Sequence, residues 1–480
     1  MSKDFETVIG LEVHVELNTK TKIFCGCSTA FGGAPNTHVC PVCSGMPGSL
    51  PVLNKEVVHK AIAVGLALNC DITRNSKFDR KNYFYPDNPQ NYQISQLYYP
   101  ICRNGWVEIT GDDGNPKKVR IHEIHMEEDA GKLIHDNFTG ETYVDLNRSG
   151  VPLIEIVSEP DMRSADEVVA YLEKLRETIQ YLGASDCKLN EGSMRADVNL
   201  SIRERGTEEF GTRTESKNLN SFRAIKRCIE HETARQTDAV VSGEGVTQET
   251  RRWDDEKGYS YPMRSKEDAQ DYRYFPDPDL VPILVSQEWI DEIASEAPEF
   301  RDAKKIRYKE EYDLSDYDID QITGEKRLAD IFEGAVAEGA DPKKAANWLM
   351  VETQRLMKET GTDADKLTFS PAHLASLIGL VDRKEINSSV AKTVFEAVFR
   401  EDVDPEAYVK EHDLSMKGAD GALEAAVKKA VDMSPKAVED WKAGKTKAAG
   451  AIVGLVMREM KGKCDPAEVN RLISEELAKR

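Results

Sequence analysis

The chain has 480 residues, is 40% hydrophobic and 31% charged, and so has the balance of a folded soluble protein rather than a disordered or fibrous one. At this length roughly two to four domains are expected, each burying its own core. A net charge of −21 and a pI near 5.0 argue against broad electrostatic capture of nucleic acid and leave only a local basic patch for that purpose.

The N-terminus, MSKDFETVIG, lacks the basic start and apolar core of a signal peptide. The longest apolar run, AIAVGLAL at 61–68, is far too short to span a bilayer, so a cytoplasmic chain with no membrane partner is expected. GLEVHVEL, residues 10–17, alternates Leu11, Val13, Val15 and Leu17 with Glu12, His14 and Glu16, the pattern of a strand with one apolar and one polar face. That polar face is either solvated or a metal site.

Next come Cys25 and Cys27 as C-x-C, then Cys40 and Cys43 in C-P-V-C-S-G. Four thiolates in two close pairs suit tetrahedral zinc, and with every position filled by protein the ion would be structural. The plainer reading is four unligated buried cysteines, like the scattered Cys70, Cys102, Cys187, Cys228 and Cys464. In a reducing compartment the grouping favours metal over disulfides.

A helix is predicted after Asn54, through Val57, Val58, Ala61 and Ile62. Aromatics then gather at 80–100 and again at 271–282, either packing rings from proline-turned loops or lining a ligand surface or channel. IHMEEDAG carries Glu127, Glu128 and Asp129, and YVDLNRSG puts Asp145 and Asn147 on one face. VPLIEIV sets Glu155 in an apolar run, where an unpaired carboxylate is expensive to bury and needs a cation or a proton. Glu12, Glu128 and Glu155 with His14 would form a mostly oxygen-donating site suited to magnesium or manganese.

A second helix is expected from Asp166 and a third opening at Ser221. Between them RADVNLSIR presents Asp197 and Asn199 beside Arg195, and RTESKNLNSFR adds Arg213, Glu215 and Lys217. Such mixed groups suit a metal–nucleotide phosphate site, though a surface ladder of ion pairs explains each strand taken alone. Past Pro298 the spacing turns helical, and from Asp404 DPEAYVKEH and GADGAL suggest a hinge into a last small bundle. The expected fold class is α+β: a large mainly antiparallel β-sheet domain over 1–295 with a zinc-binding insertion at 25–43, an all-α helical domain over 296–405 and a small helical tail domain over 406–480. The GKT at 444–446 has Glu439 where a P-loop needs glycine, and neither a G-x-S-x-G elbow nor an amidase Ser-Ser-Lys pattern occurs.

IGLEVHVEL, FDRKNYFYPDNPQNYQIS, HMEEDAGK, DLNRSGVPLIEIVSEPD, TESKNLNSF, ETRRWD and DYRYFPDPDL follow one another as in the GatB family, the B subunits of the tRNA-dependent amidotransferases. YDLSDYDIDQIT and GKTKAAGAIVGLVMREMKGKCDPAEVNRLI extend the resemblance to the end of the chain. It implies a ligase of translation that works as a heterotrimer with two partners, an amidase and a small third protein. ATP and magnesium serve to phosphorylate the side-chain carboxylate of Glu on tRNA(Gln) or Asp on tRNA(Asn), and ammonia from the amidase displaces the phosphate. A carboxylate is a poor electrophile, and an acyl phosphate a good one.

By the same resemblance His14, Glu128 and Glu155 are the expected magnesium ligands, with Glu12 next and Glu127 or Asp145 as outer partners. These four, His14, Glu12, Glu128 and Glu155, are also the expected catalytic set. Lys81 and Tyr83 would border the site or the channel mouth, and Asp197, Asn199, Lys217 and Asn218 are candidate nucleotide contacts. In the tail Lys442, Lys445, Lys447, Arg458, Lys461 and Lys463 would grip tRNA. Not all members of the family carry the cysteines, so their zinc would brace the sheet domain rather than take part in catalysis. A tRNA-binding scaffold and a metallohydrolase using His14 and the carboxylates are the rival functions.

Overall fold

The computed structural model describes residues 4–136, 138–265, 271–416, 420–442, 449–460, 464 and 466–479. The chain divides into two compact units, 1–300 and 301–480.

The first unit is built on a nine-stranded sheet. Its order is Tyr259–Ser265, Glu249–Asp254, Thr214–Lys217, Met194–Glu204, Phe5–Glu16, Pro152–Ser158, Pro116–Glu128, Cys102–Thr110 and Asp71–Ile72. Every neighbouring pair is antiparallel except Thr214–Lys217 with Glu249–Asp254, which the helix Phe222–Ser242 joins by the crossover a parallel pair requires. The alternation read at 10–17 places Leu11, Val13, Val15 and Leu17 in the core. That apolar face packs with the helices Lys55–Ala67, Ala165–Tyr181 and Phe222–Ser242 in one continuous cluster. Each helix begins on a side-chain cap, Asn54, Ser164 and Ser221, whose oxygen accepts from a first-turn amide that has no helical partner. The other sheet face, lined with Glu12, His14, Glu155 and their neighbours, stays polar.

The two aromatic segments meet in a small three-stranded sheet, where Asp79–Asn82 pairs with Tyr92–Ser95 on one side and Phe275–Pro276 on the other. Its strand Tyr92–Ser95 lies along the end of Pro116–Glu128, held by Gln93 Nε2 donating to Glu128 O at 2.7 Å and Met126 N donating to Gln96 Oε1 at 3.0 Å.

The described residues of the second unit are helical. One apolar cluster runs from Tyr308 to Val409, and another joins Leu423, Val427, Val431, Ile452, Val456, Val469 and Ile473. The segment DPEAYVKEH, expected as a hinge, is the helix Pro405–Glu411: Asp404 caps it, proline starts it, and Val409 enters the first of these cores. Part of GADGAL lies outside the described residues. Among the described residues no helix is long and apolar enough to cross a membrane.

Candidate metal and active site

Adjacent strands of the large sheet converge on one cluster. His14 faces Glu155 across one side of its strand and Arg195 across the other, and Glu155 in turn faces His125. Cross-strand partners share a sheet face, and so do residues two apart, so Glu127 stands with them. His14 Nε2 lies 3.4 Å from Glu155 Oε2 and 3.7 Å from Glu127 Oε1. His125 Nε2 lies 2.9 Å from Glu155 Oε2 and 3.6 Å from Glu127 Oε2. Ser95 Oγ orients Glu127 by donating to Oε2 at 3.1 Å. One ligand atom each from His14, Glu127 and Glu155 falls within 4.8 Å of the others.

The electrostatics of this cluster follow from burying carboxylates beside imidazoles. Burial alone pushes the Glu155 carboxyl up, but the charges of His125 and His14 and their hydrogen bonds hold it well below the usual range. Burial alone lowers the imidazolium pKa of His14 and of His125; the Glu155 carboxylate foremost, with Glu127, raises both above the ordinary value. The cluster therefore attracts positive charge. Two converging carboxylates and an imidazole fit a magnesium- or manganese-type cation, which would take the place of those protons.

Lys81 adds a cation at the rim. Its Nζ stands 4.9 Å from the Tyr272 ring centre, in a row of rings that continues from Tyr83 through Tyr272 to Tyr274. Burial works against its charge, but Glu127, Tyr274 and Glu155 more than offset that and raise its pKa. Burial also pushes the Tyr83 hydroxyl up to about 12.

Glu12, Asp197 and Glu215 form a second acidic group on the same face. Here the counter-charge is built in: Lys217 Nζ pairs with Asp197 and lies 2.7 Å from Glu215, while Asn199 Nδ2 donates to Glu12 Oε1 at 2.9 Å. Burial, then Glu155, raises the Glu12 carboxyl. Asn218 is not part of this group, since its side chain caps the strand end by donating to Trp253 O at 2.9 Å from a left-handed backbone, φ 69°.

Glu128 corrects the expected ligand set. It lies on the opposite face from His14, buried, its Oε1 accepting from Ile94 N at 3.0 Å and Gln90 Nε2 at 2.7 Å, and burial pushes its carboxyl up to about 7. Glu127, expected only as an outer partner, occupies the place beside His14 and Glu155. The signal was in the sequence, because Ile124 and Met126 mark the inward parity of that strand and Glu128 shares it. His125 was missed as the second imidazole on Glu155. Asp145 is also elsewhere, its Oδ1 accepting from Asn36 N and Asn147 N, each at 3.0 Å.

Cys25, Cys27, Cys40 and Cys43 do come together, with ligand atoms all within 4.8 Å of one another. Cys43 Sγ lies 3.9 Å from Cys40 Sγ and 4.0 Å from Cys27 Sγ, close to the roughly 3.8 Å edge of a tetrahedron with zinc–sulfur bonds of about 2.3 Å. The hydrogen bond from Cys25, the Cys40 amide and the Lys22 charge outweigh burial and lower the Cys43 thiol, while the bond to Cys43 and burial raise Cys25 and burial raises Cys27. Of the tail cations, Lys442 and Arg458 sit on the helices Pro435–Lys442 and Ala449–Glu459, whereas Lys445, Lys447, Lys461 and Lys463 lie outside the described residues.

A carboxylate–imidazole cluster on a mainly antiparallel sheet, with a four-thiol group in the same unit, gives a domain with two groups able to hold a metal, followed in the chain by a helical unit. The chain belongs to the GatB family: the model of the GatB/GatE catalytic domain matches residues 7–291 and that of the GatB domain matches residues 330–477. A protein of Lachnospira eligens, named as the B subunit of aspartyl/glutamyl-tRNA(Asn/Gln) amidotransferase, is 66% identical over 479 residues, 98% of this chain and 99% of its own. Proteins of the same name from Agathobacter rectalis and Caldicellulosiruptor bescii are 66% identical over 473 residues and 53% identical over 479. They are covered over 99% and 100% of their own lengths, and cover 98% and 99% of this chain.

Proposed function

We propose that this chain, like the relatives named above, is the B subunit of an aspartyl/glutamyl-tRNA(Asn/Gln) amidotransferase, a carbon–nitrogen ligase of cytoplasmic translation. In the first half-reaction the terminal phosphoryl group of ATP passes to the side-chain carboxylate of Glu-tRNA(Gln) or Asp-tRNA(Asn), giving ADP and an acyl phosphate. In the second, ammonia attacks the acyl carbon, phosphate leaves, and Gln-tRNA(Gln) or Asn-tRNA(Asn) results. A separate amidase would supply the ammonia and a small third protein would complete the heterotrimer, consistent with the lack of an amidase signature in this sequence.

The convergence of His14, Glu127 and Glu155 within 4.8 Å carries this reading. These three residues would hold a magnesium-type cation, whose charge would neutralise phosphate oxygens during transfer. His125 keeps Glu155 oriented, Ser95 keeps Glu127 oriented, and Lys81 brings an ammonium to the rim where phosphoryl charge spreads. Of the residues expected to contact nucleotide, Asp197, Asn199 and Lys217 act as the neighbouring wall with Glu12. The cysteines would hold zinc as a brace, and the cations of the 406–480 tail, following the 296–405 helical domain, would meet the tRNA.

The test is the full chain with its amidase and small partner proteins, ATP, magnesium and misacylated tRNA, with ammonium chloride replacing glutamine. Wild type is expected to yield amide-charged tRNA, and His14→Ala and Glu155→Ala none, with tRNA binding intact. Undiminished product from both variants would move the activating site elsewhere. Tight tRNA binding without ATP consumption by wild type would favour a scaffold.

A further inference from the structure

Lys22 is fully buried, a rare state for a lysine without an anionic partner. Its Nζ donates to His38 O at 2.8 Å, to Leu146 O at 3.2 Å and to Cys43 Sγ at 3.5 Å. Among the described residues no carboxylate pairs with it, so the anion that accounts for its burial is the thiolate group. A divalent metal held by four thiolates carries a net charge of −2, which a buried site must offset with donors or a cation.

The three partners of that ammonium lie on two separate segments. His38 and Cys43 belong to the cysteine module, and Leu146 to the loop that leads into Pro152–Ser158, the strand of Glu155. Further hydrogen bonds tie the same stretch to the module. Asn36 Nδ2 donates to Val144 O at 2.9 Å, Leu146 N to Asn36 Oδ1 at 2.8 Å, His38 N to Asn147 Oδ1 at 2.8 Å, and Ser149 Oγ to Cys43 O at 3.1 Å. Gly150 closes the contact in a left-handed conformation, φ 83°, where an added Cβ would stand 3.5 Å from both Lys22 Cδ and Cys43 Cβ. Arg148 projects from this loop to Ala130 O at 2.9 Å and Gly131 O at 2.7 Å, with Nε 3.6 Å from Asp129. Asp129 also accepts from Arg195 at 2.6 Å, and Arg195 faces His14 across the sheet.

We propose that Lys22 is a positioning residue joining the cysteine metal centre to the Arg148 loop, its ammonium offsetting the thiolate charge while it fixes Leu146. Metal occupancy at the cysteines and order at 144–150 are then linked, and through Arg148 and Asp129 the link reaches the edge of the His14 cluster. This rests on the reading of the cysteines as a metal site.

The test loads full-length wild type and Lys22→Met with zinc and follows its loss to a competing chromogenic chelator, with circular dichroism to confirm folding. Lys22→Met is expected to lose zinc roughly tenfold or more faster. With cobalt in place of zinc, its sulfur-to-metal charge-transfer band should shift, a change that mere loosening of the fold would not give. Amide exchange at 144–150 should quicken in the variant, and in zinc-stripped wild type, while Phe5–Glu16 stays protected. A folded Lys22→Met that holds zinc as firmly as wild type, with an unshifted cobalt band, overturns the role of Lys22 and leaves the metal site standing. Wild type that retains neither zinc nor cobalt removes the metal site and this role with it. If Lys22→Met does not fold, wild type alone decides: unchanged exchange at 144–150 on zinc removal counts against the link.

Discussion

Two acidic clusters share one face of the sheet and differ in what balances them. Beside Glu12, Asp197 and Glu215 stands Lys217, a permanent cation already engaged by two of the three carboxylates. The groups paired directly with Glu127 and Glu155 are His14 and His125, whose positive charge is borrowed from solvent protons, while the Lys81 ammonium acts on both carboxylates from the rim. A lysine-filled cluster is a finished ionic network, whereas an imidazole-filled one can exchange its protons for a metal. On the proposed function, the contrast lets neighbouring groups with similar carboxylate content differ in chemistry, one serving as a wall and the other as the site.

The sharpest way to break this comparison uses the adjacent pair Glu127 and Glu128. Glu127→Ala is expected to reduce ammonia-dependent amidation by roughly a hundredfold or more. Glu128→Ala should leave the rate within about twofold but lower stability by about 1–3 kcal/mol, because the Ile94 amide and Gln90 lose their acceptor. Parallel rate and urea-unfolding measurements decide it, and the reverse pattern would put Glu128 back in the ligand set.

Lys217→Met probes the other cluster. With the lysine gone, the three carboxylates repel, and a loss of roughly 1–2 kcal/mol is expected after allowing for the partial exposure of this pair. Added manganese should restore the thermal midpoint of this variant more than that of wild type, since the cluster would have become a cation site. Equal responses would show that Lys217 is not what closes it.

The smallest effect concerns a network away from both clusters. Glu232 is buried, with Oε2 2.7 Å from Arg235 Nη2 and Oε1 3.3 Å from Arg251 Nε, and it also accepts from Ser260. Burial would raise its carboxyl, but Arg235, Ser260 and Arg251 together hold it below the usual 4.5. A depressed carboxyl stabilises the fold above its unfolded value and loses that contribution as pH falls through the folded one, about 1.4 kcal/mol for each unit of depression. Wild type should therefore lose more stability than Glu232→Gln between pH 5 and pH 3, as read from urea midpoints; matching losses would count against it.

The sequence made much of this legible. Strict alternation at 10–17 gave the strand and both of its faces, and Asn54 and Ser221 marked helix starts because a polar cap is wanted where first-turn amides lack partners. His14 and Glu155 were readable because a carboxylate in an apolar run demands a partner. Glu128 was misplaced because HMEED offers two adjacent carboxylates, and only the parity of Ile124 and Met126 says which faces His14. Lys217 was readable as a charged strand residue, but its closure of the second cluster depends on the register of three strands and so on the fold. The helix Pro405–Glu411 is hard to tell from a hinge in the sequence because it is seven residues long and reaches its core only through Tyr408 and Val409.

His14, Glu127 and Glu155 each come from a different strand and meet only because the three strands are in step. Adding or deleting one residue within any of these strands would turn its ligand toward the apolar core and bring a greasy neighbour out in its place. Changes in length are therefore tolerable in the connecting loops but not within these strands. The spacing between Glu12 and Leu17, or between Ile124 and Glu128, is a reading frame in which a shift of one residue would take the cluster apart.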